Sequence, residues 1–217
     1  QRAALIDPNK ANCNVSPGLP PDTGNETTYL CAVEAEGNMI SLIQSIYHSF
    51  GSGLVPDGCG FALQNRGALF TLDSNHPNAL AGRKRPLHTI IPAFMERDHV
   101  KVAFGIMGGW NQAQAHAQFV ANIVDYGLNI QFALEAPRFT KLSFDGCDVQ
   151  IESRIPQQTI EQLQSMGHEV KKIAPYAQAV GGGQAVLRDF SNGVNYGASD
   201  PRKDGAAIPQ PAPTLMR

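Results

Sequence analysis

Thr27-Thr28-Tyr29 stands where a Pro- and Gly-rich stretch gives way to an apolar run. A threonine hydroxyl is a weak nucleophile until a base takes its proton. The sequence contains no GxSxG elbow of the kind that presents a serine to a histidine. A threonine at a newly cut N-terminus brings its own base, an α-amino group with a pKa of about 8. The break between this stretch and the first apolar run is where such a cut can occur. Both threonines are also β-branched and suit the opening of a strand whatever their chemistry.

Two further segments fit acyl transfer. Gly108-Gly109 follows an apolar run, and paired glycines let backbone N–H groups approach an oxyanion without side-chain hindrance. The same pair also suits a tight strand-to-helix turn. Ser45, with Ser49 and Ser52 nearby, follows a second apolar run. A hydroxyl there can hydrogen-bond a nucleophile on the adjacent strand of a hairpin, or simply be a solvated loop serine.

The elements that would position these groups can be read from pattern. Thr28–Val33 and Met39–Ile43 predict strands buried on both faces, joined into a hairpin by Glu36-Gly37-Asn38. Phe50-Gly51-Ser52-Gly53 is a Gly-rich loop, followed by a short strand at Gly60–Leu63. Residues 73–85 are loop-like, and Val100–Gly105 is a strand that runs into Met107-Gly108-Gly109. A helix over Gln112–Tyr126 places Phe119, Val120, Ile123 and Val124 on one face and ends at Gly127. A second spans Pro156–Met166, with Gly167 as its cap. Strands return at Val149–Ile151, Glu169–Lys172, Gln184–Leu187 and Val194–Gly197. Strands in blocks with few helices predict a layered α+β fold. Nearly all-apolar strands need cover on both faces, as in a four-layer αββα sandwich.

The whole-chain properties exclude several classes. With 217 residues, 42% hydrophobic, the chain can bury a core. A net charge of −2 gives no basic footprint for nucleic acid, so none is expected as a partner. No apolar run is long enough to cross a bilayer. The chain opens at Gln1 on a polar stretch without a signal-peptide pattern. Cytoplasmic and periplasmic or secreted locations both stay open. Cys13, Cys31, Cys59 and Cys147 share no CxxC spacing, so zinc or thioredoxin-type chemistry is not expected; no metal and no cofactor is expected. Cys31 and Cys59 read as buried thiols. A disulfide framework is not expected at this density, although a single pair is left open.

Thr27-Thr28-Tyr29-Leu30-Cys31-Ala32-Val33-Glu34-Ala35-Glu36-Gly37-Asn38 resembles the TTHYSVVDxxGN opening of the γ-glutamyltranspeptidase small subunit. Further blocks follow in the family's order: Phe50-Gly51-Ser52-Gly53, then Pro77-Asn78-Ala79 with Lys84-Arg85-Pro86-Leu87, then Met107-Gly108-Gly109. Asp125-Tyr126-Gly127-Leu128 with Glu135-Ala136-Pro137-Arg138, and finally Tyr196-Gly197-Ala198-Ser199-Asp200-Pro201-Arg202, complete the set. Together they span Thr27 to about residue 207. The resemblance implies the αββα N-terminal-nucleophile hydrolase fold and autocatalytic cleavage between Glu26 and Thr27. It also implies an acyl-enzyme formed from a γ-glutamyl amide and resolved by water or an amine. Residues 1–26 would then be a linker at the tail of a large-subunit region, and 27–217 the catalytic small-subunit domain. The large subunit would be the partner in a heterodimer. By the same resemblance Thr27 matches the nucleophile, Ser45 a threonine that hydrogen-bonds it, and Gly108 and Gly109 the oxyanion hole. Asn25-Glu26-Thr27 also fits a glycosylation sequon, which the cut would split.

The departures fall on substrate-binding positions. Tyr47, Arg66 and Leu69 align with an asparagine, a glutamine and an aspartate that hold the glutamyl α-carboxylate and α-amino group. His88-Thr89 replaces a carboxylate-binding serine pair. Leu69 cannot pair with an ammonium group, whereas Arg66 can hold a carboxylate. Leu63-Gln64-Asn65-Arg66-Gly67-Ala68-Leu69-Phe70 resembles the glutaryl-cephalosporin acylase-like branch. The expected substrate is therefore a small γ-glutamyl amide of the glutathione type, with a glutaryl amide as the alternative. A catalytically silent structural domain is the third reading.

Overall fold

The computed structural model describes residues 7–11, 13, 26–143 and 145–210, with residue 26 described by its backbone alone. Most of the expected linker, including Pro17–Gly24, and Asn25 of the sequon lie outside the described residues. In chain order the elements are β1 (Glu26–Val33), β2 (Met39–Tyr47), β3 (Ala93–Arg97), β4 (Val100–Met107), α1 (Asn111–Val124) and α2 (Ile130–Glu135). They continue with β5 (Phe139–Thr140), β6 (Asp148–Glu152), α3 (Gln157–Ser165), β7 (Glu169–Ile173), β8 (Gly182–Asp189) and β9 (Val194–Ser199). The fold is α+β, as the sequence pattern predicts.

A four-stranded antiparallel sheet, ordered β3-β4-β8-β9, lies at the centre. Its strand β4 is buried on both faces, and successive residues divide between them. Val102, Phe104 and Ile106 pack with Ala115 and Phe119 of α1 and with Ala133 and Leu134 of α2. Each large side chain buried there contributes about 1.5–3 kcal/mol relative to exposure. On the opposite face Met107 packs with Tyr29 and Ile43 of the antiparallel β1–β2 hairpin. A three-stranded sheet, β5-β6-β7, stands apart, with α3 as the crossover between parallel β6 and β7.

The hairpin meets β4 at a position only glycine can occupy. A Cβ built on Gly105 would lie 2.5 Å from the Tyr29 ring. Gly105→Ala should therefore push the hairpin off the sheet and cost about 1–3 kcal/mol. A thermal melt checks this. An unchanged Tm would mean that the contact between Tyr29 and β4 is not tight.

Several expectations need correction. β1 and β2 are not buried on both faces: Leu30 and Ile40 are each 48% exposed and Leu42 36%. Among the described residues nothing covers that outer face. Gly60–Leu63 is not a strand: the Leu63 N–H donates to the Leu54 carbonyl and the Leu63 carbonyl accepts the Ser52 N–H, closing an irregular loop. β3, β5 and α2 were not expected. α2 is too short for a periodic signal and relies on Asn129, whose side chain accepts from the Phe132 N–H. A disulfide does form, between Cys13 and Cys147, with Cα atoms 4.4 Å apart. Cys59 is exposed, because it sits in a surface turn. Cys31 is half-buried, and burial pushes its thiol up to about 11.

Candidate active site

The β1–β2 register carries an irregularity at the position of chemical interest. Glu26 pairs with Tyr47 and Thr27 with Ser45, so β2 inserts Ile46 as an extra residue opposite the Glu26–Thr27 bond. Tyr47 has a φ of 76°, a left-handed conformation unfavourable for an aromatic residue. It is held by its backbone N–H, which donates to Ser45 Oγ (3.1 Å), and by its buried ring. That ring stacks on His48 at 4.3 Å and lies 4.9 Å under the Arg66 guanidinium.

Thr27 Oγ1 donates to Ser45 Oγ at 3.0 Å. Arg66 Nη2 donates to the same oxygen at 2.8 Å and Nη1 to Thr89 Oγ1 at 2.9 Å. With the Tyr47 N–H, three donors converge on Ser45 Oγ, an atom with two lone pairs. An oxygen so loaded, one donor being a guanidinium, is a poor proton acceptor. Ser45 can orient the Thr27 hydroxyl but is unsuited to deprotonate it.

Arg66 opens a 3-10 turn, Arg66–Leu69, and is its inward-facing residue, 2% exposed. The turn is anchored by Asn78 Nδ2, which donates to the Leu69 carbonyl at 2.6 Å. Asn65, just before it, accepts the His48 N–H at 3.1 Å. Five of the residues singled out from sequence, Thr27, Ser45, Tyr47, Arg66 and Thr89, thus form one connected group. His88 is not drawn into that chain through Nδ1, which lies 2.7 Å from the Pro86 carbonyl and donates to it.

Gly108 and Gly109 follow β4 and lead through Trp110 into α1, with φ values of 133° and 54°. Their carbonyls accept from the N–H groups of Asn111 and Gln112, the first helical residues. The pair therefore lies at the positive end of the α1 dipole, a setting that favours an anion. Met107 and Gly105 connect it to the hairpin by packing. A side chain on Gly108 would stand 3.2 Å from Gly181 Cα and 3.4 Å from Asn111 Nδ2.

Two features escaped the sequence reading. Asn111 is fully buried beside Gly108, and neither atom of its amide finds a partner among the described residues. The other is a buried ionic group of Arg138, Glu152, Asp200 and Arg202. Arg138 Nη2 lies 2.6 Å from Asp200, and Arg202 reaches Asp200 at 3.0 Å and Glu152 at 2.7 Å. Burial alone would raise the Glu152 carboxyl, but hydrogen bonds from the Arg202 side chain and the Arg138 backbone hold it below its ordinary range. The charged residues in the blocks ending at Arg138 and Arg202 were the signal, since charges inside otherwise apolar strands and turns must be paired.

The gamma-glutamyltranspeptidase family model matches residues 1–210. The chain is 36% identical over 191 residues to the glutathione hydrolase-like YwrD proenzyme of Bacillus subtilis, covering 85% of this chain and 36% of that protein. It is 37% identical over 186 residues to the oxamate amidohydrolase proenzyme of Klebsiella pneumoniae, covering 84% of this chain and 35% of that protein. The crystal structure of cephalosporin acylase from Bacillus halodurans superposes with a TM-score of 0.75 at 43% identity, over 82% of this chain and 33% of that one. The chain thus spans about a third of the length of these relatives.

Proposed function

This chain belongs to the gamma-glutamyltranspeptidase family, and from that premise we propose that it is the acyl-transfer part of a proenzyme that cuts itself before Thr27. In the precursor the Thr27 hydroxyl attacks the Glu26 carbonyl, and the resulting ester is hydrolysed. Residues 27–217 become the catalytic chain, and residues 1–26 the tail of the upstream partner. The freed Thr27 α-amino group then takes the hydroxyl proton as Oγ1 attacks a substrate amide. The N–H groups of Gly108 and Gly109 stabilise the oxyanion. The amine leaves with the proton, and water or an acceptor amine resolves the acyl-enzyme. The observation that carries this reading is the Thr27–Ser45–Arg66–Thr89 hydrogen-bond chain, which ends on a nucleophile at a strand irregularity.

Arg66 is placed to act from beneath this chain. Its terminal nitrogens are shared with Ser45 and Thr89, so a substrate carboxylate would compete with those hydroxyls. Arg66→Gln should lower kcat by about ten- to a hundredfold with a smaller change in KM. The opposite split, a raised KM with kcat retained, would make Arg66 a substrate-gripping residue.

The substrate is a small acyl amide, by default γ-glutamyl. A glutaryl-type amide is the second reading, favoured by Leu69, which offers no partner to an α-amino group, and by the likeness to cephalosporin acylase. Comparing γ-glutamyl and glutaryl anilides on the processed full-length protein separates the two. A kcat/KM at least tenfold higher for glutaryl would establish that the α-amino group is not read. Turnover of neither, with the Glu26–Thr27 bond intact, would leave a structural domain.

A further inference from the structure

We infer that the disulfide between Cys13 and Cys147 crosses the processing point and keeps the two products covalently joined after the cut before Thr27. The inference rests on the cleavage proposed above. Cys13 lies upstream of the Glu26–Thr27 bond and Cys147 far downstream of it. Their Cα atoms are 4.4 Å apart and bridged.

The contact does not depend on sulfur alone. Ala11 N–H donates to the Met166 carbonyl at 2.9 Å. Met166 is the C-terminal cap of α3, where carbonyls lack partners within the helix. The Ala11 side chain also lies against Gly167, within 3.9 Å of where a Cβ would be. Cys147 is buried, and its carbonyl accepts the Glu169 N–H at 2.9 Å, which fixes it to the first residue of β7. The upstream segment is thus seated by backbone and side chain on the rim of the β5-β6-β7 sheet. Thr27 belongs to a different sheet, the β1–β2 hairpin.

The consequence is a matter of connectivity. Hydrolysis of the Glu26–Thr27 peptide bond consumes one water and leaves the S–S bond untouched. The upstream product ends at Glu26 and still carries Cys13, so it remains bound to the catalytic chain through Cys147. This linkage limits the loss of the upstream product on dilution, since the tethered partner stays at high effective concentration.

The test uses the full-length precursor, purified without reductant and with free thiols blocked by N-ethylmaleimide. Mass spectrometry under denaturing conditions should show one species, heavier than the blocked precursor by one water. With reductant it should show two chains, one beginning at Thr27. Cys147→Ser should give two chains without any reductant. Two chains from the unreduced wild-type protein would overturn the inference while leaving cleavage intact. One chain under both conditions would overturn cleavage itself and the bridge between products with it. A Cys13–Cys147 linked peptide in the digest of that chain would locate the failure in the processing step.

Discussion

Replacing Thr27 by alanine should leave the precursor as a single chain and lower amide turnover by on the order of 10³-fold or more. In the proposed mechanism one oxygen does both jobs, first on the Glu26 carbonyl and then on substrate, so both are lost together. The fold should survive. Thr27 is only half-buried, at the end of the hairpin, and among the described residues its side chain makes one hydrogen bond, to Ser45. Net loss of such a bond costs about 0.5–1.5 kcal/mol. A melt close to wild type, combined with absent processing and turnover, separates lost chemistry from lost structure. Thr27→Ser keeps a hydroxyl and an α-amino group and should restore both activities in part. Turnover retained in Thr27→Ala would remove this residue from the mechanism.

Asp200→Ala should be the most damaging change to stability, about 3–5 kcal/mol. The Asp200 carboxylate lies fully out of solvent between Arg138 and Arg202, which are equally buried. It also accepts the N–H groups of Gly183 and Arg202 at 3.2 and 3.0 Å. Arg202 in turn donates to the carbonyls of Leu134 and Ala136, closing the C-terminal end of α2. Removing Asp200 therefore leaves guanidinium charge buried with too little compensation and loosens α2 from β8 and β9. Urea unfolding of the two proteins reads the difference directly. A loss below about 1 kcal/mol would mean that water reaches the group.

The same group sets a pH dependence. The Glu152 carboxyl is held below its ordinary pKa in the folded state. Its contribution is therefore full above the unfolded glutamate value and lost as pH falls through the depressed one.

Much of the central layer was legible in the sequence because it is periodic. β4 announces itself as an apolar run leading into paired glycines and α1 as a pattern with one apolar face closed by Gly127, and both fall within two residues of expectation. The hairpin was legible as strands but not in its exposure. Leu30, Ile40 and Leu42 are apolar, and only the three-dimensional arrangement shows that the described residues leave that face uncovered. The site was legible in part. The hairpin pattern allowed a hydrogen bond from Ser45 to a residue on the adjacent strand, and Thr27 Oγ1 lies 3.0 Å from Ser45 Oγ. The position of Arg66 was not legible, because a 3-10 turn with no periodic signal carries it beneath Ser45. Spacing likewise could not pair Cys13 with Cys147, which stand 134 positions apart in the chain and meet only in the folded structure.

The central claim is that Thr27 is made into an N-terminal nucleophile by the chain's own cut. The most direct measurement is N-terminal sequencing and intact mass, under reducing conditions, of the full-length protein after native purification. The account predicts a downstream chain that begins Thr27-Thr28-Tyr29 and whose formation Thr27→Ala prevents. A Glu26–Thr27 bond that stays intact in protein that turns over amide substrate would contradict it.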